Sequence, residues 1–105
     1  MIEIPLRADL LNYQQEIVLD KRVFLMSMFW NQRAQMWEFS LATEGVEIVT
    51  SRFVILKINL LEFVYNEKRP SGYIVPLSTS KKIKKITQDN LGADVGIFYI
   101  DKDEL

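Results

Sequence analysis

The clearest alternation in the chain runs through residues 36–41, where Trp37, Phe39 and Leu41 fall on one side and Met36, Glu38 and Ser40 on the other. A period of two marks a strand with one buried face, so this segment predicts a strand that carries Trp37, Phe39 and Leu41 into a core. Upstream, residues 16–19 lead through Asp20-Lys21 into residues 22–30, the pattern of a hairpin with a tight turn. The second arm is apolar on both sides, with Val23, Leu25 and Phe29 on one and Phe24, Met26, Met28 and Trp30 on the other. Such a strand is expected to be covered on both faces, by the core on one and by a helix, a second sheet or a partner on the other.

Weaker signals fill in the rest. Ile2, Ile4 and Leu6 alternate with Glu3 and Pro5, and the proline predicts an edge strand. Residues 31–35 are polar and turn-like, Glu44-Gly45 is a second turn, and residues 46–49 and 52–58 read as two extended runs. Residues 59–65 fit a strand or a short helix, residues 66–72 a loop with Pro70 and Gly72, and residues 73–77 an edge strand with Pro76. Residues 96–101 close the chain as a last strand. No segment sustains a helical period over ten residues, and no repeat is present. The expected fold is all-β, a small antiparallel sandwich or barrel of seven to eight short strands.

At 105 residues the chain is expected to form a single β-rich domain over 1–105, with its acidic end, 101–105, frayed. Its hydrophobic fraction of 49% is high enough to leave apolar side chains for a partner. There are no cysteines, which excludes disulfides, iron–sulfur clusters and thiolate zinc sites. There are no histidines either, which removes the commonest metal ligand and the commonest general base. No catalytic residue, metal site or cofactor is expected. A net charge of -1 provides no field for nucleic acid or an anionic membrane. The apolar runs 53–56 and 23–30 fall far short of the roughly 20 residues of a membrane span. Residues 1–5 show no basic region followed by an apolar one, so no secretory signal and a cytoplasmic origin are expected.

The sharpest local feature is Lys81-Lys82-Ile83-Lys84-Lys85, followed over residues 86–105 by one lysine and five acids. The lysines could meet nucleic acid or an acidic protein groove, but no aromatic residue lies between Leu77 and Phe98 to stack on bases. The plainer reading, a solvated loop balanced by the acidic tail, is favoured. Lys102-Asp103-Glu104-Leu105 spells an ER-retention signal, which acts only on a protein already in the secretory lumen and is read as coincidence. Trp30 and Trp37 flank the 31–35 turn, and a core pair is favoured over an exposed indole anchor. Met26, Met28 and Met36 could form an adaptable binding face, or fill the core. Glu38, Glu47 and Glu62 suggest no paired-carboxylate site. The candidate interface residues are therefore Lys81, Lys82, Lys84, Lys85, Met26, Met28 and Trp30.

Several stretches together resemble the baseplate plug proteins of contractile-tailed bacteriophages. They are the opening Glu3-Ile4-Pro5-Leu6-Arg7, the hairpin from Glu16 to Phe24, Trp30-Asn31-Gln32-Arg33 and Trp37-Glu38-Phe39. Asn59-Leu60-Leu61 with Tyr65, and Asp89-Asn90-Leu91-Gly92 before Val95 and Tyr99, continue the likeness in order and spacing. Two places depart from it: that family usually has glycine where Lys21 stands, and commonly carries Gly and Asp around residues 57–59. The resemblance implies a virion structural protein that helps close the tail tube at the baseplate hub, with no catalysis and no cofactor. It implies as partners other baseplate, hub or tube-initiator proteins, with several copies around the tail axis, assembled in the bacterial host cytoplasm. A small β-barrel module binding single-stranded nucleic acid or another protein is the alternative.

Overall fold

Seven segments satisfy their apolar alternation as strands in a computed structural model that describes residues 1–104. They are β1 (Ile2–Ile4), β2 (Asn12–Leu19), β3 (Arg22–Asn31), β4 (Met36–Thr43), β5 (Val46–Phe53), β6 (Tyr73–Ser78) and β7 (Val95–Ile100). Strands β2-β3-β4-β5 form a four-stranded antiparallel meander, and β1-β7-β6 a three-stranded antiparallel sheet with β7 in the middle. Neither sheet closes on itself, so the fold is all-β in two open sheets and not a barrel.

The β2–β3 hairpin is in continuous register from Asn12↔Phe29 to Leu19↔Arg22, and its two-residue loop is Asp20-Lys21. Both loop residues have positive φ, 54° and 62°, the turn geometry whose twist matches that of paired strands. Glu44-Gly45, at 52° and 74°, repeats the device between β4 and β5. Between β3 and β4, Asn31 organises the turn: its Oδ1 accepts the Ala34 amide at 2.9 Å and its Nδ2 donates to Glu38 at 2.7 Å.

One contiguous core lies between the sheets. Phe24, Met26, Met28 and Trp30 of β3 enter it beside Trp37, Phe39 and Leu41 of β4, and Ile74, Val95, Ile97 and Tyr99 join from the other sheet. Trp30 and Trp37 sit directly opposite each other and meet edge to face, with centroids 5.5 Å apart. The expected face of β4 is therefore the buried one.

Four expectations need correction. Residues 59–65 form neither a strand nor a short helix but turns, with Glu62 N donating to Asn59 O and Val64 N to Leu61 O, each at 3.1 Å. Residues 46–49 and 52–58 do not form two extended runs: β5 is one strand, irregular near Ser51, and it ends at Phe53. Past Val54, whose amide still donates to Trp37 O at 2.9 Å, the chain turns away through Lys57 (φ 67°). Nor is β3 covered on both faces, because Val23, Leu25 and Phe29 remain open to solvent. Finally, β6 is a terminal strand as its proline predicts, but its outer edge is occupied. Lys57 N donates to Pro76 O at 2.9 Å, Leu60 N to Ile74 O at 2.7 Å, and Ile74 N to Asn59 Oδ1 at 3.0 Å. Pro76 thus turns its donor-less nitrogen away from β7, where no ladder bond is lost.

Candidate functional site

The lysine loop is an ordered feature. Ser78 and Ser80 tie its entry through Ser80 N to Ser78 Oγ (3.0 Å) and Lys82 N to Ser80 Oγ (3.2 Å). Asn90 ties its exit by accepting the Thr87 amide at 2.8 Å and donating to Lys85 O at 3.0 Å. Ile86 is buried and Ile83 half-buried, while Lys81, Lys82, Lys84 and Lys85 all point outward. Among the described residues no carboxylate lies within salt-bridge distance of these four lysines. Among the described residues the acidic tail makes no ion pair with the loop, and part of it is engaged elsewhere. Lys102–Glu104 form a 3-10 turn, and the Glu104 carboxylate takes the amino group of Met1, which holds that carboxyl below its ordinary range. Leu105, last of the four residues that spell the retention signal, lies outside the described residues.

Next to the loop is a cleft of about 160 Å³ with apolar walls from Met36, Val54, Ile55 and Ile86, lined also by Lys84 and Lys85. The sequence pointed to these lysines but not to the hollow beside them, which draws on three separated segments.

Met26, Met28 and Trp30, the other interface candidates, are core residues. Both methionines are fully buried, and Trp30 donates its indole N–H to Gln32 Oε1 at 2.8 Å. The reason is the period of β3: these side chains alternate with Val23, Leu25 and Phe29, and it is the latter set that faces out. On the outer face of the four-stranded sheet, Val23 stands beside Val18 and Phe29 is on the same strand. Polar Ser27, bonded to Gln14 at 3.2 Å, separates the two apolar ends. Glu38 and Glu47 lie on that sheet opposite Phe53 and Ala42, and Glu62 lies in the β5–β6 loop, so the three carboxylates form no pair.

Two features had no sequence signal. The first is a polar junction between the sheets. Asp20 accepts the Tyr99 hydroxyl at 2.6 Å, the Ser71 amide at 2.8 Å and the Ser71 hydroxyl at 2.9 Å, and Tyr99 accepts the Gly72 amide at 3.0 Å. Burial alone would raise the Asp20 carboxyl, but these donors and the nearby Arg22 charge hold it below the ordinary range. Burial and the bond to Asp20 push the Tyr99 hydroxyl up. The second feature is the turn at residues 60–63, which with the chain after it presents Phe63 and Tyr65 to solvent, 73% and 85% exposed. Among the described residues no three metal-ligating side chains cluster, and no helix is long and apolar enough to cross a membrane.

The architecture is thus a two-sheet β domain whose distinctive features are outward-facing surfaces: an exposed lysine loop, an open sheet face and an aromatic loop. Residues 1–103 match the family model described as cyanophage baseplate Pam3 plug gp18, and the chain belongs to that family. No curated protein matches it at a significant level. Membership makes the chain a structural component of a phage baseplate, hence of the virion tail and in contact with other baseplate components, and points to a structural rather than catalytic role.

Proposed function

We propose that the protein plugs the tail tube of a contractile phage at the baseplate hub, in several copies around the tail axis, through contacts with hub or tube-initiator proteins. The observation that carries this reading is the family match over nearly the whole chain. The surface supports it. Four exposed lysines with no carboxylate partner among the described residues suit an acidic protein groove, where complementary charge guides docking. The protein folds in the host cytoplasm and is incorporated during tail assembly.

The test is a phage with this gene interrupted and supplied in trans, either as wild type or with Lys81, Lys82, Lys84 and Lys85 changed to Ser. Particles lacking the protein should lose density on the tail axis at the baseplate and open or leak prematurely. The serine variant should fold normally, since exposed charges contribute roughly 0–1 kcal/mol each, but be incorporated poorly. Absence of the protein from purified particles, or its location elsewhere in the virion, would overturn the proposal. Tight, salt-dependent binding of a single-stranded oligonucleotide, lost in the serine variant, would replace it with the nucleic-acid reading.

A further inference from the structure

Phe63 is exposed, bulky and held in the left-handed region, at φ 62°. A bulky residue keeps such a conformation only where its surroundings over-determine it. Here two arginines do so. Arg52 donates to the carbonyls of Leu60 (3.2 Å) and Glu62, and Arg69 to those of Leu61 (3.1 Å) and Val64 (2.9 Å). Four of the carbonyls around the turn are thereby fixed, so Phe63 is presented on a rigid support. An exposed aromatic that needs no ordering on contact is the kind of residue that anchors a protein interface. Glu62 precedes Phe63 and Glu67 follows four residues on, both exposed, while Lys68 is taken by Glu44 at 3.0 Å and the guanidiniums of Arg52 and Arg69 are turned to backbone carbonyls.

The same chain carries the complement. The cleft beside the lysine loop has apolar walls and a volume of about 160 Å³, and an apolar cavity of about 150 Å³ is large enough to take up benzene. Lys84 and Lys85 line it, and among the described residues no carboxylate is within salt-bridge distance of them. We infer that the protein self-associates by seating Phe63 of one copy in the Met36–Val54–Ile86 cleft of a second, with Glu62 and Glu67 against that copy's Lys84 and Lys85. Knob and cleft are different patches, so the contact either reciprocates in a pair or runs head to tail, closing into a ring where the rotation allows and continuing as a filament where it does not. It deepens the proposed plug and rests on that reading only for the place of the copies on the tail axis.

The test is a charge exchange on the purified, cysteine-free chain, read by analytical ultracentrifugation. Wild type should associate reversibly at concentrations up to about 100 μM, as a contact at the small end of specific interfaces does. Phe63→Ala should weaken this by about tenfold or more. Glu62→Lys with Glu67→Lys should abolish it, and so should Lys84→Glu with Lys85→Glu. Mixing equal amounts of the two reversed variants should restore association, because each knob then meets a cleft of opposite sign. Circular dichroism and thermal melting identify any variant that fails to fold. A wild type that stays monomeric, association that survives all three variants, or a mixture that does not recover would each overturn the contact. Incorporation of a monomeric wild type into particles would still leave the baseplate role standing.

Discussion

Replacing Arg69 with Ala removes a guanidinium that donates to four backbone carbonyls: Pro70 at 3.0 Å, Leu61 at 3.1 Å, Val64 at 2.9 Å and Gly72 at 3.0 Å. A hydrogen bond to a charged group is worth roughly 1.5–3 kcal/mol, which sets the upper bound for four. Arg69 is half-buried, so water can take over some of these carbonyls once it is gone. We expect a loss of about 3–5 kcal/mol, a large part of the roughly 5–15 kcal/mol that stabilises a domain of this size. Arg69→Lys keeps the charge but not the planar fork, and should lose about half as much. Urea unfolding supplies the free energies, and hydrogen exchange localises the effect. In Arg69→Ala the amides of residues 59–74 should open well below the global free energy, while those of β3 and β4 should not. A midpoint unchanged from wild type, or exchange that rises uniformly over the chain, would refute the idea that this one side chain pins the β5–β6 loop.

Trp37→Ala should cost about 3–5 kcal/mol by urea unfolding, because it removes a buried indole, the edge-to-face contact with Trp30 and the bond from its Nε1 to Thr87 O at 3.2 Å. Lys21→Gly should raise stability by about 0.5–1 kcal/mol in the same assay: relief of a left-handed side chain, roughly 1–2 kcal/mol, exceeds the added freedom of the unfolded chain, roughly 0.5–1 kcal/mol. Asp20→Asn should destabilise near neutral pH and flatten the acid limb. The folded Asp20 carboxyl lies below its ordinary 3.8, so its contribution is complete above that value and is lost as pH falls through the folded one. Unfolding curves of wild type and variant should therefore converge on acidification below about pH 4, and a constant gap down to pH 2 would contradict the assignment.

The sheets were legible because strands with one wet face leave a period-two record. Trp37, Phe39 and Leu41 alternate with polar neighbours, and all three are buried. The record fails on β3, where both sets of side chains are apolar: nothing in Val23, Leu25 and Phe29 distinguishes them from Phe24, Met26 and Met28. The partner strands decide it, since β4 fixes which side holds the core and the register carries β3 along with it. The split of β5 into two runs has a similar cause. Ser51, at φ 44°, reads as a break, yet its amide is recovered by Ser40 Oγ at 2.9 Å across the irregularity, and the strand continues to Phe53. The surfaces were less legible still. Lysines announce themselves by sequence proximity, whereas the cleft beside them needs Met36, Val54 and Ile86 to be brought together by the fold. Phe63 reads as one more apolar residue until Arg52, eleven positions earlier, and Arg69, six later, are seen to hold its turn outward.

Two of the stretches that carry the family likeness, around Asn59 and around Asn90, are joints of the fold. Asn59 accepts both Leu61 N and Ile74 N at 3.0 Å, fastening the β5–β6 loop to the sheet edge. Asn90 closes the turn before β7, accepting the Ala93 and Val95 amides on its carbonyl at 3.1 and 3.0 Å. Gly92, at φ 90°, takes a conformation that other residues avoid. The two departures fall on comparable joints. Lys21, where the likeness leads one to expect glycine, and Lys57, at the start of the departing stretch 57–59, have φ of 62° and 67°, so both non-glycine residues adopt the left-handed conformation. Their persistence is explained by what surrounds them. Asp20, next to Lys21, is bonded to Tyr99 and Ser71 of the opposite side of the fold, and Lys57 donates its amide to Pro76. Tertiary bonds at the neighbouring atoms therefore fix each turn, and the side chain at its tip is free to become a lysine that faces solvent. The same logic applies to Phe63: once two arginines hold the turn, its tip residue no longer has to serve the fold and is available for contact with a neighbour.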